Sequence, residues 1–253
     1  MADLRFLRDG ALPGAANMAW DEALLECAAV PTLRLYSWAA PTVSLGYFQD
    51  LPALLPSLAA AAGAQGLPAL VRRITGGGAI WHEHEVTYCL VGTLGADGFP
   101  PLARLLYPLL HQAIRTALMA AGGVDVELQA VAAGDRRYRD EPRCFASPAV
   151  DDLTAQGGGG KILGSAARAR GARILIHGSL KLASNPWDQA VVSGCGLSAA
   201  AAGASLAGGI AAALGATLRA DQATPAEQAA AARIAALRYG ADDWVARRSG
   251  PRP

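Results

Sequence analysis

One cysteine lies in a setting that favours chemistry at its sulfur. Cys144 directly follows a charged loop, residues 135–143, in which four arginines are clustered: Arg136, Arg137, Arg139 and Arg143. Positive charge near a thiol favours the thiolate, which is the nucleophilic form. The pattern therefore predicts a candidate nucleophile at Cys144. The alternative is a small buried hydrophobic residue, the usual role of a free cysteine and the role that we expect for Cys89 and Cys27.

Lysine usage identifies a second candidate. The chain has 22 basic residues, and only Lys161 and Lys181 are lysines. A lysine retained where arginine is otherwise preferred is more often required as a lysine, because the two differ in geometry and in how readily burial shifts the pKa. We therefore expect Lys161 to be functional. Lys181 is equally consistent with chance retention at the surface.

Two glycine-rich stretches could bring a backbone close to a ligand. Three consecutive glycines, residues 76–78, allow backbone N–H groups to approach a ligand without hindrance, and Arg73 can add a cation for a phosphate or carboxylate. A tight hairpin is the alternative, although it needs fewer glycines. This stretch does not fit the dinucleotide-binding fingerprint, because Trp81 stands where that motif requires glycine. The second stretch, residues 157–161, does not fit the phosphate-binding P-loop motif either.

The elements that must position these residues follow one another irregularly. Hydrophobic periodicity and β-branched content predict strands over residues 4–7, 32–38, 43–48, 70–74, 85–92, 124–128, 144–153, 161–169 and 173–182, and helices over residues 17–27, 54–62, 102–121, 198–214 and 226–237. Asn17 and Thr224 are predicted N-caps. Because strands and helices do not alternate regularly, the sequence predicts an α+β fold with a mixed, largely antiparallel sheet and flanking helices.

Composition restricts the class of protein. The 253 residues show no repeat or linker, so we expect a single domain over residues 1–253. A hydrophobic fraction of 52% argues against disorder, and a net charge of +1 gives no case for nucleic-acid binding. Neither the charged N-terminus nor the Ala-rich residues 197–218 match a targeting or membrane segment. The four cysteines fit neither a disulfide scaffold nor a metal site, which favours a reducing cytoplasm.

Five ordered motifs resemble the lipoate–protein ligase A and octanoyltransferase family, which is related to the biotin–protein ligases. The motifs are NMAWDEAL (17–24), PTLRLYSW with VSLGYFQ (31–38 and 43–49), RRITGGGAIWH (72–82), KILGSAAR (161–168) and HGS (177–179), and they cover nearly the whole chain. The resemblance implies an α+β catalytic domain of the class II biotin and lipoyl synthetase type. Its sheet would bury an acyl chain in a tunnel near the glycine loop and Lys161. Residues 239–244 resemble the family's closing segment, so no accessory C-terminal domain is expected.

The family contains two chemistries, thioester exchange and adenylation. Residues 143–148, RCFASP, resemble the Cys-Phe-x-x-Pro segment of the octanoyltransferases that load the glycine-cleavage H protein. The resemblance implies that Cys144 accepts the acyl group and that Lys161 tunes the thiol and holds the acyl carbonyl. A thioester donor needs no ATP, whereas a free carboxylate must first be activated. Asp151 stands where ligases carry the Asn of an Asn-Asp pair, which favours the transferase.

We therefore expect an octanoyltransferase without a cofactor, which moves an octanoyl group from acyl carrier protein to a lysine of a lipoyl-domain protein such as H protein. The alternatives are an ATP- and Mg²⁺-dependent lipoate ligase and a non-catalytic binder of acyl groups or lipoyl domains. His82 and His177 are equally consistent with orienting a carbonyl and with structural hydrogen bonding. The expected catalytic residues are Cys144 and Lys161, and those expected to bind substrate are Arg73, Thr75, Gly76, Gly77, Gly78, Ala79, Ile80, Trp81, His82, Gly164, Ser165, Ala166, His177 and Gly178.

Overall fold

A computed structural model describes residues 2–135 and 137–249. Its strands are β1 (Ala2–Leu12), β2 (Thr32–Trp38), β3 (Thr42–Leu45), β4 (Ala69–Arg72), β5 (Ile80–His82), β6 (Glu85–Thr93), β7 (Val126–Leu128), β8 (Leu153–Ala155), β9 (Lys161–Arg170), β10 (Arg173–Lys181) and β11 (Ala216–Ala220). Its α-helices are α1 (Gly14–Cys27), α2 (Leu51–Ala62), α3 (Leu106–Ala120), α4 (Ala199–Ala213), α5 (Pro225–Ile234) and α6 (Asp242–Arg247). Short helical turns occupy Gly63–Gln65, Ala103–Leu105 and Ala235–Tyr239.

The strands form a large sheet and a small one. The large sheet has the order β11-β1-β2-β6-β10-β9-β8-β7, and only the β11-β1 and β1-β2 pairs in it are parallel. The small sheet has the order β4-β3-β5. The predicted α+β fold with a mixed, largely antiparallel sheet and flanking helices is therefore confirmed.

Alternation along the strands divides the core into two layers. Even-numbered residues of β10, such as Ile176, pack with α3 and α4, whereas Leu175 packs with α1 and α5 on the opposite face. The period of two in side-chain direction explains how one strand serves both layers. Each fully buried leucine or isoleucine in these layers contributes about 1.5–3 kcal/mol through removal from water. The small sheet packs separately against α2.

The two predicted helix caps have different outcomes. Thr224 caps α5 in a full capping box, because its hydroxyl accepts from the Glu227 N–H and its own N–H donates to the Glu227 carboxylate. The N-cap prediction for Asn17 is wrong, since α1 begins at Gly14, directly after Pro13. The Asn17 side chain is buried inside the helix, where its amide donates to the carbonyls of Leu12 and Ser37. Asn17 therefore connects α1 to neighbouring strands.

The predicted strand over residues 144–153 is also wrong, because the structure has a strand only from Leu153. Cys144 instead lies in a loop that pairs with the segment following the three glycines. The Ala79 N–H donates to the Pro142 carbonyl at 2.8 Å, and the Cys144 N–H donates to the Ala79 carbonyl at 2.9 Å. Strands β5 and β11 and helix α6 are additional to the predicted elements. β11 pairs in parallel with β1 from the far end of the chain, a contact that local patterns do not show.

Candidate active site

An open cleft lies between the two sheets. Together with its mouth it holds about 550 Å³ of space. Strands β3 and β5 of the small sheet form one wall, and β2, β6, β9 and β10 of the large sheet form the other. Its lining residues are Met18, Tyr36, Trp38, Ser44, Arg73, Gly77, Ile80, His82, Thr87, Tyr138, Cys144, Ala149, Asp152, Lys161, Gly164, Ser165, Ala166, His177, Gly178 and Ser179. The volume and the many apolar side chains suit a small, largely apolar ligand.

Cys144 and Lys161 meet at this cleft. The Lys161 Nζ lies 3.5 Å from the Cys144 Sγ and 3.3 Å from the Cys144 carbonyl oxygen. The same ammonium forms an ion pair with Asp152 at 2.7 Å. The Asp152 carboxylate also accepts from the Ala149 N–H at 2.6 Å, which fixes its orientation. The three side chains form a buried row in which one cation lies between a carboxylate and a sulfur.

The charge of this lysine is stabilised by its neighbours. Burial alone would lower the pKa of Lys161, but the charges of Asp152 and Cys144 and the hydrogen bond to Asp152 raise it above its usual value. Lys161 is therefore an ammonium at neutral pH and can stabilise negative charge on the adjacent sulfur. Tyr138, at the mouth of the cleft, has its pKa raised to about 12 by burial and by the nearby Cys144.

Missing side chains at two glycines make this approach possible. A Cβ at Gly164 would lie 2.5 Å from the Lys161 Nζ, and one at Gly78 would lie 2.7 Å from the Cys144 backbone nitrogen. Real Cβ atoms do not approach other atoms this closely, so any larger residue would require its neighbours to move. Gly78 and Gly164 thus leave the space that the Cys144 backbone and the Lys161 side chain occupy.

Arg73 organises the loop at residues 74–79. Its buried guanidinium makes five hydrogen bonds, to the carbonyls of Ser44, Gly76 and Gly78 and to the hydroxyls of Ser44 and Thr75. Burial lowers the pKa of Arg73. Its donors are thus directed at the loop itself, although the residue also lines the cleft.

His82 lines the cleft and belongs to a buried polar chain. Its ring stacks on Trp38, its Nε2 lies 2.7 Å from the Ser44 hydroxyl, and its Nδ1 lies 2.8 Å from Glu85. Burial is the main reason that the pKa of His82 falls to about 4, despite the adjacent carboxylate. Glu85 also pairs with Lys181, which is fully buried. The surface position considered for Lys181 is therefore not observed.

His177 connects the glycine loop to α1. Its Nε2 lies 2.8 Å from the Thr75 hydroxyl, and its Nδ1 lies 2.8 Å from Asp21. Asp21 in turn accepts hydrogen bonds from Arg34 and Tyr36. The ring therefore lines the cleft while both of its nitrogens hold structural partners.

The remaining predicted substrate residues divide into two groups. Ile80, Gly77, Gly164, Ala166 and Gly178 line the cleft. Ser165 also lines the cleft, but its hydroxyl bonds to Tyr88 and His111. Trp81 packs in the cluster around α2, because residues of β5 point alternately to opposite sides, and Ala79, just before β5, belongs to the same cluster. Thr75, Gly76 and Gly78 support the loop without being among the described lining residues.

Several lining residues were absent from the sequence prediction. They include Asp152, Tyr138 and Ser44, which belong to different parts of the chain. Of these three, only Asp152 lies in a recognisable sequence feature, the acidic pair with Asp151. By contrast, the cation found beside the sulfur is Lys161 rather than one of the three arginines of the cluster that the structure describes. Arg143 pairs with Glu141 and donates to the Trp187 carbonyl, and Arg137 and Arg139 are exposed. Arg136 lies outside the described residues.

Within residues 2–135 and 137–249, no group of three or more His, Cys, Asp or Glu side chains is arranged to hold a metal ion. No helix in this part of the chain combines the length and apolar character needed to span a bilayer. All four cysteines are free.

Known proteins share this sequence pattern and architecture. The model of the lipoyl protein ligase A/B catalytic domain matches residues 13–193. Octanoyltransferase LipM of Moorella thermoacetica is 37% identical over 73% of this chain and 67% of its own length. Octanoyltransferase LipM of Symbiobacterium thermophilum is 33% identical over 96% of this chain and 98% of its own length. Protein Ta0514 of T. acidophilum, a structure with bound lipoic acid, superimposes with a TM-score of 0.76 at 20% identity, covering 97% of this chain and 98% of its own.

Proposed function

Because the chain belongs to the lipoyl protein ligase A/B catalytic domain family, we propose that its cleft transfers an octanoyl group through a thioester on Cys144. Octanoyl transfer in lipoate biosynthesis is the activity that the LipM relatives support. The observation that carries the mechanistic proposal is the 3.5 Å approach of the Lys161 ammonium to the Cys144 sulfur. A nucleophilic thiol needs such a cation, whereas ATP-dependent activation needs a nucleotide pocket.

In the first step, the Cys144 thiolate attacks the carbonyl carbon of an octanoyl thioester. The bond from that carbon to the donor's sulfur breaks, and the donor leaves as a thiol after taking up a proton. In the second step, an acceptor lysine attacks the acyl-cysteine, its amine loses a proton, and the Cys144 thiolate is released. Both steps exchange bonds of the acyl carbon without an external energy source, so we expect no cofactor.

Lys161 has two roles in this scheme. Its charge stabilises the sulfur before the attack, and it can donate to the acyl carbonyl once the sulfur has been acylated. Asp152 holds the ammonium in place through the ion pair of 2.7 Å. The acyl chain would extend along apolar lining residues such as Met18 and Ile80.

We further propose acyl carrier protein as donor, a lipoyl domain such as H protein as acceptor, and the cytoplasm as location. The exposed Arg137 and Arg139, near the cleft mouth, would attract an acidic carrier. The chain would act as one catalytic domain, because β1 pairs with β11 and Trp244 of α6 packs on Tyr47.

The test is intact-mass analysis after incubation with octanoyl carrier protein. An added octanoyl mass should appear in the wild type and in Cys27→Ser, a control at an exposed free cysteine, and should be absent in Cys144→Ser. Modification of a lipoyl domain only with ATP and free lipoate would instead identify a ligase. Ligand binding with no product would identify a non-catalytic binder. Full transfer by Cys144→Ser would refute the mechanism.

A further inference from the structure

One buried hydroxyl in the cleft has no role in the scheme above. The Ser179 side chain lines the cleft and is 1% exposed. Within the described residues its Oγ has no hydrogen-bond partner. A buried hydroxyl without a hydrogen-bond partner destabilises the folded protein, so its presence in a cleft needs an explanation.

Strand register places this hydroxyl beside the reacting groups. Ser179 on β10 lies directly opposite Gly164 on β9 and Thr87 on β6. Residues directly opposite in antiparallel strands project from the same face. The Cβ position of Gly164 is 2.5 Å from the Lys161 Nζ, so Ser179 projects from the sheet on the side of that ammonium. Gly164, the residue of β9 directly opposite Ser179, has no side chain to stand between the hydroxyl and the lysine.

The polar neighbours of Ser179 are already committed. Thr87 donates to Glu85 and accepts from the Trp38 indole N–H. His177 and Lys181, two residues away on either side of Ser179 and on the same face, bond to Thr75 and to the Trp81 carbonyl. Ser179 is therefore the hydroxyl in this row whose donor remains available to a ligand.

We propose that Ser179 donates a hydrogen bond to the acyl carbonyl oxygen, and that this bond strengthens as the oxygen becomes negative during thiolate attack. A saturated octanoyl chain has no other hydrogen-bond acceptor, so the carbonyl is the group that this donor can recognise. The inference rests on the proposed function. Donors preorganised toward a developing oxyanion are among the largest contributions to acyl-transfer catalysis, and removal of one costs about 10²–10³-fold. Since Lys161 also faces this oxygen, we expect a smaller loss for Ser179, about 10- to 100-fold.

The experiment compares two reactions of the same sulfur in Ser179→Ala. One is single-turnover octanoylation of Cys144 by octanoyl carrier protein, and the other is alkylation by iodoacetamide, which involves no carbonyl oxyanion. Octanoylation should slow by about 10- to 100-fold while alkylation stays unchanged. The thermal midpoint should stay the same or rise, because an unpaired buried hydroxyl is removed. Ser205→Ala, at a buried serine on α4, is the matched control and should change neither rate.

Two outcomes would overturn the inference. Wild-type octanoylation in Ser179→Ala would show that the hydroxyl does not assist the reaction. Equal slowing of both reactions would show that Ser179 supports the cysteine rather than the carbonyl. Failure of the proposed function is distinguishable from both, because the wild type itself would then form no adduct at Cys144.

Discussion

Replacement of Gly164 by alanine tests the geometry of the cysteine–lysine pair without changing either residue. The new Cβ would lie 2.5 Å from the Lys161 Nζ, although contacts shorter than 3.4 Å are unusual. The amine must therefore retreat by about 0.9 Å. It is the end of a flexible side chain, so we expect a modest loss of stability, about 1–2 kcal/mol, at the low end for overpacked cores.

The effect on chemistry should be larger than the effect on stability. A retreat directed away from the sulfur would lengthen the distance from the ammonium to the sulfur from 3.5 Å to about 4.4 Å. At an effective dielectric constant of about 20, that would remove about 1 kcal/mol of the attraction of the ammonium for negative charge on the sulfur. A loss of about 1 kcal/mol in the stabilisation of a transition state corresponds to about a fivefold lower rate. Misplacement of a catalytic group by about 1 Å can cost up to about 100-fold. Octanoylation should therefore slow by about 5- to 100-fold, and alkylation by iodoacetamide by about fivefold.

The assay is again intact-mass kinetics with octanoyl carrier protein and with iodoacetamide. Gly10→Ala is the matched control, because Gly10 also lies in a strand and a Cβ there would meet nothing within 4 Å. Unchanged octanoylation in a folded Gly164→Ala protein would refute the reasoning that the position of the Lys161 amine controls the sulfur. Slowing of both reactions also separates this variant from Ser179→Ala, which should affect octanoylation alone.

Three other perturbations address the charges and the fold. Lys161→Met should abolish detectable octanoylation. It should also lower the free energy of unfolding by about 3–5 kcal/mol in denaturant titrations, because Asp152 becomes an unpaired buried charge. The double variant with Asp152→Asn should regain stability but not octanoyl transfer. The folded-state pKa of His82, about 4, lies below the ordinary 6.5, so between these pH values the unfolded chain binds a proton that the folded protein does not, and stability falls as the pH drops. His82→Gln should therefore flatten the fall of the thermal midpoint between pH 6.5 and 4. An unchanged slope would contradict the lowered pKa of His82. Thr224→Ala should lower the free energy of unfolding by about 1 kcal/mol with transfer unaffected, whereas impaired transfer would show that the α5 cap influences the cleft.

Local patterns predicted the elements better than the contacts between them. The β2 strand at Thr32–Trp38 alternates clearly, and its predicted bounds agree with the structure. The sequence predicts a strand from Cys144, but the backbone partner of this residue is Ala79, 65 positions earlier in the sequence. No periodicity within residues 144–153 contains that information. For Arg143, likewise, the sequence does not show that the guanidinium pairs with Glu141.

The site itself was predictable only where a motif carried the whole arrangement. The closeness of Cys144 and Lys161 followed from the resemblance, and the structure brings the two side chains together. Ser44, Thr87 and Ser179 come from both sheets, and each is an ordinary strand residue in the sequence. Their presence in one cleft depends on strand order and register, which arise from packing of the complete fold.

The Asp152–Lys161 ion pair explains how one buried site can tolerate both states of a thioester relay. Before acylation, the ammonium faces a carboxylate and a sulfur that can become negative, so the row carries one excess negative charge when the thiolate forms. After acylation the sulfur is neutral. Without Asp152 the acyl-enzyme would contain an unpaired buried ammonium, which is strongly destabilising. With Asp152 the pair stays neutral in the acyl-enzyme, and the ammonium remains available to the carbonyl oxygen. In the proposed relay, the carboxylate would therefore stabilise the acyl-enzyme through its ion pair with Lys161.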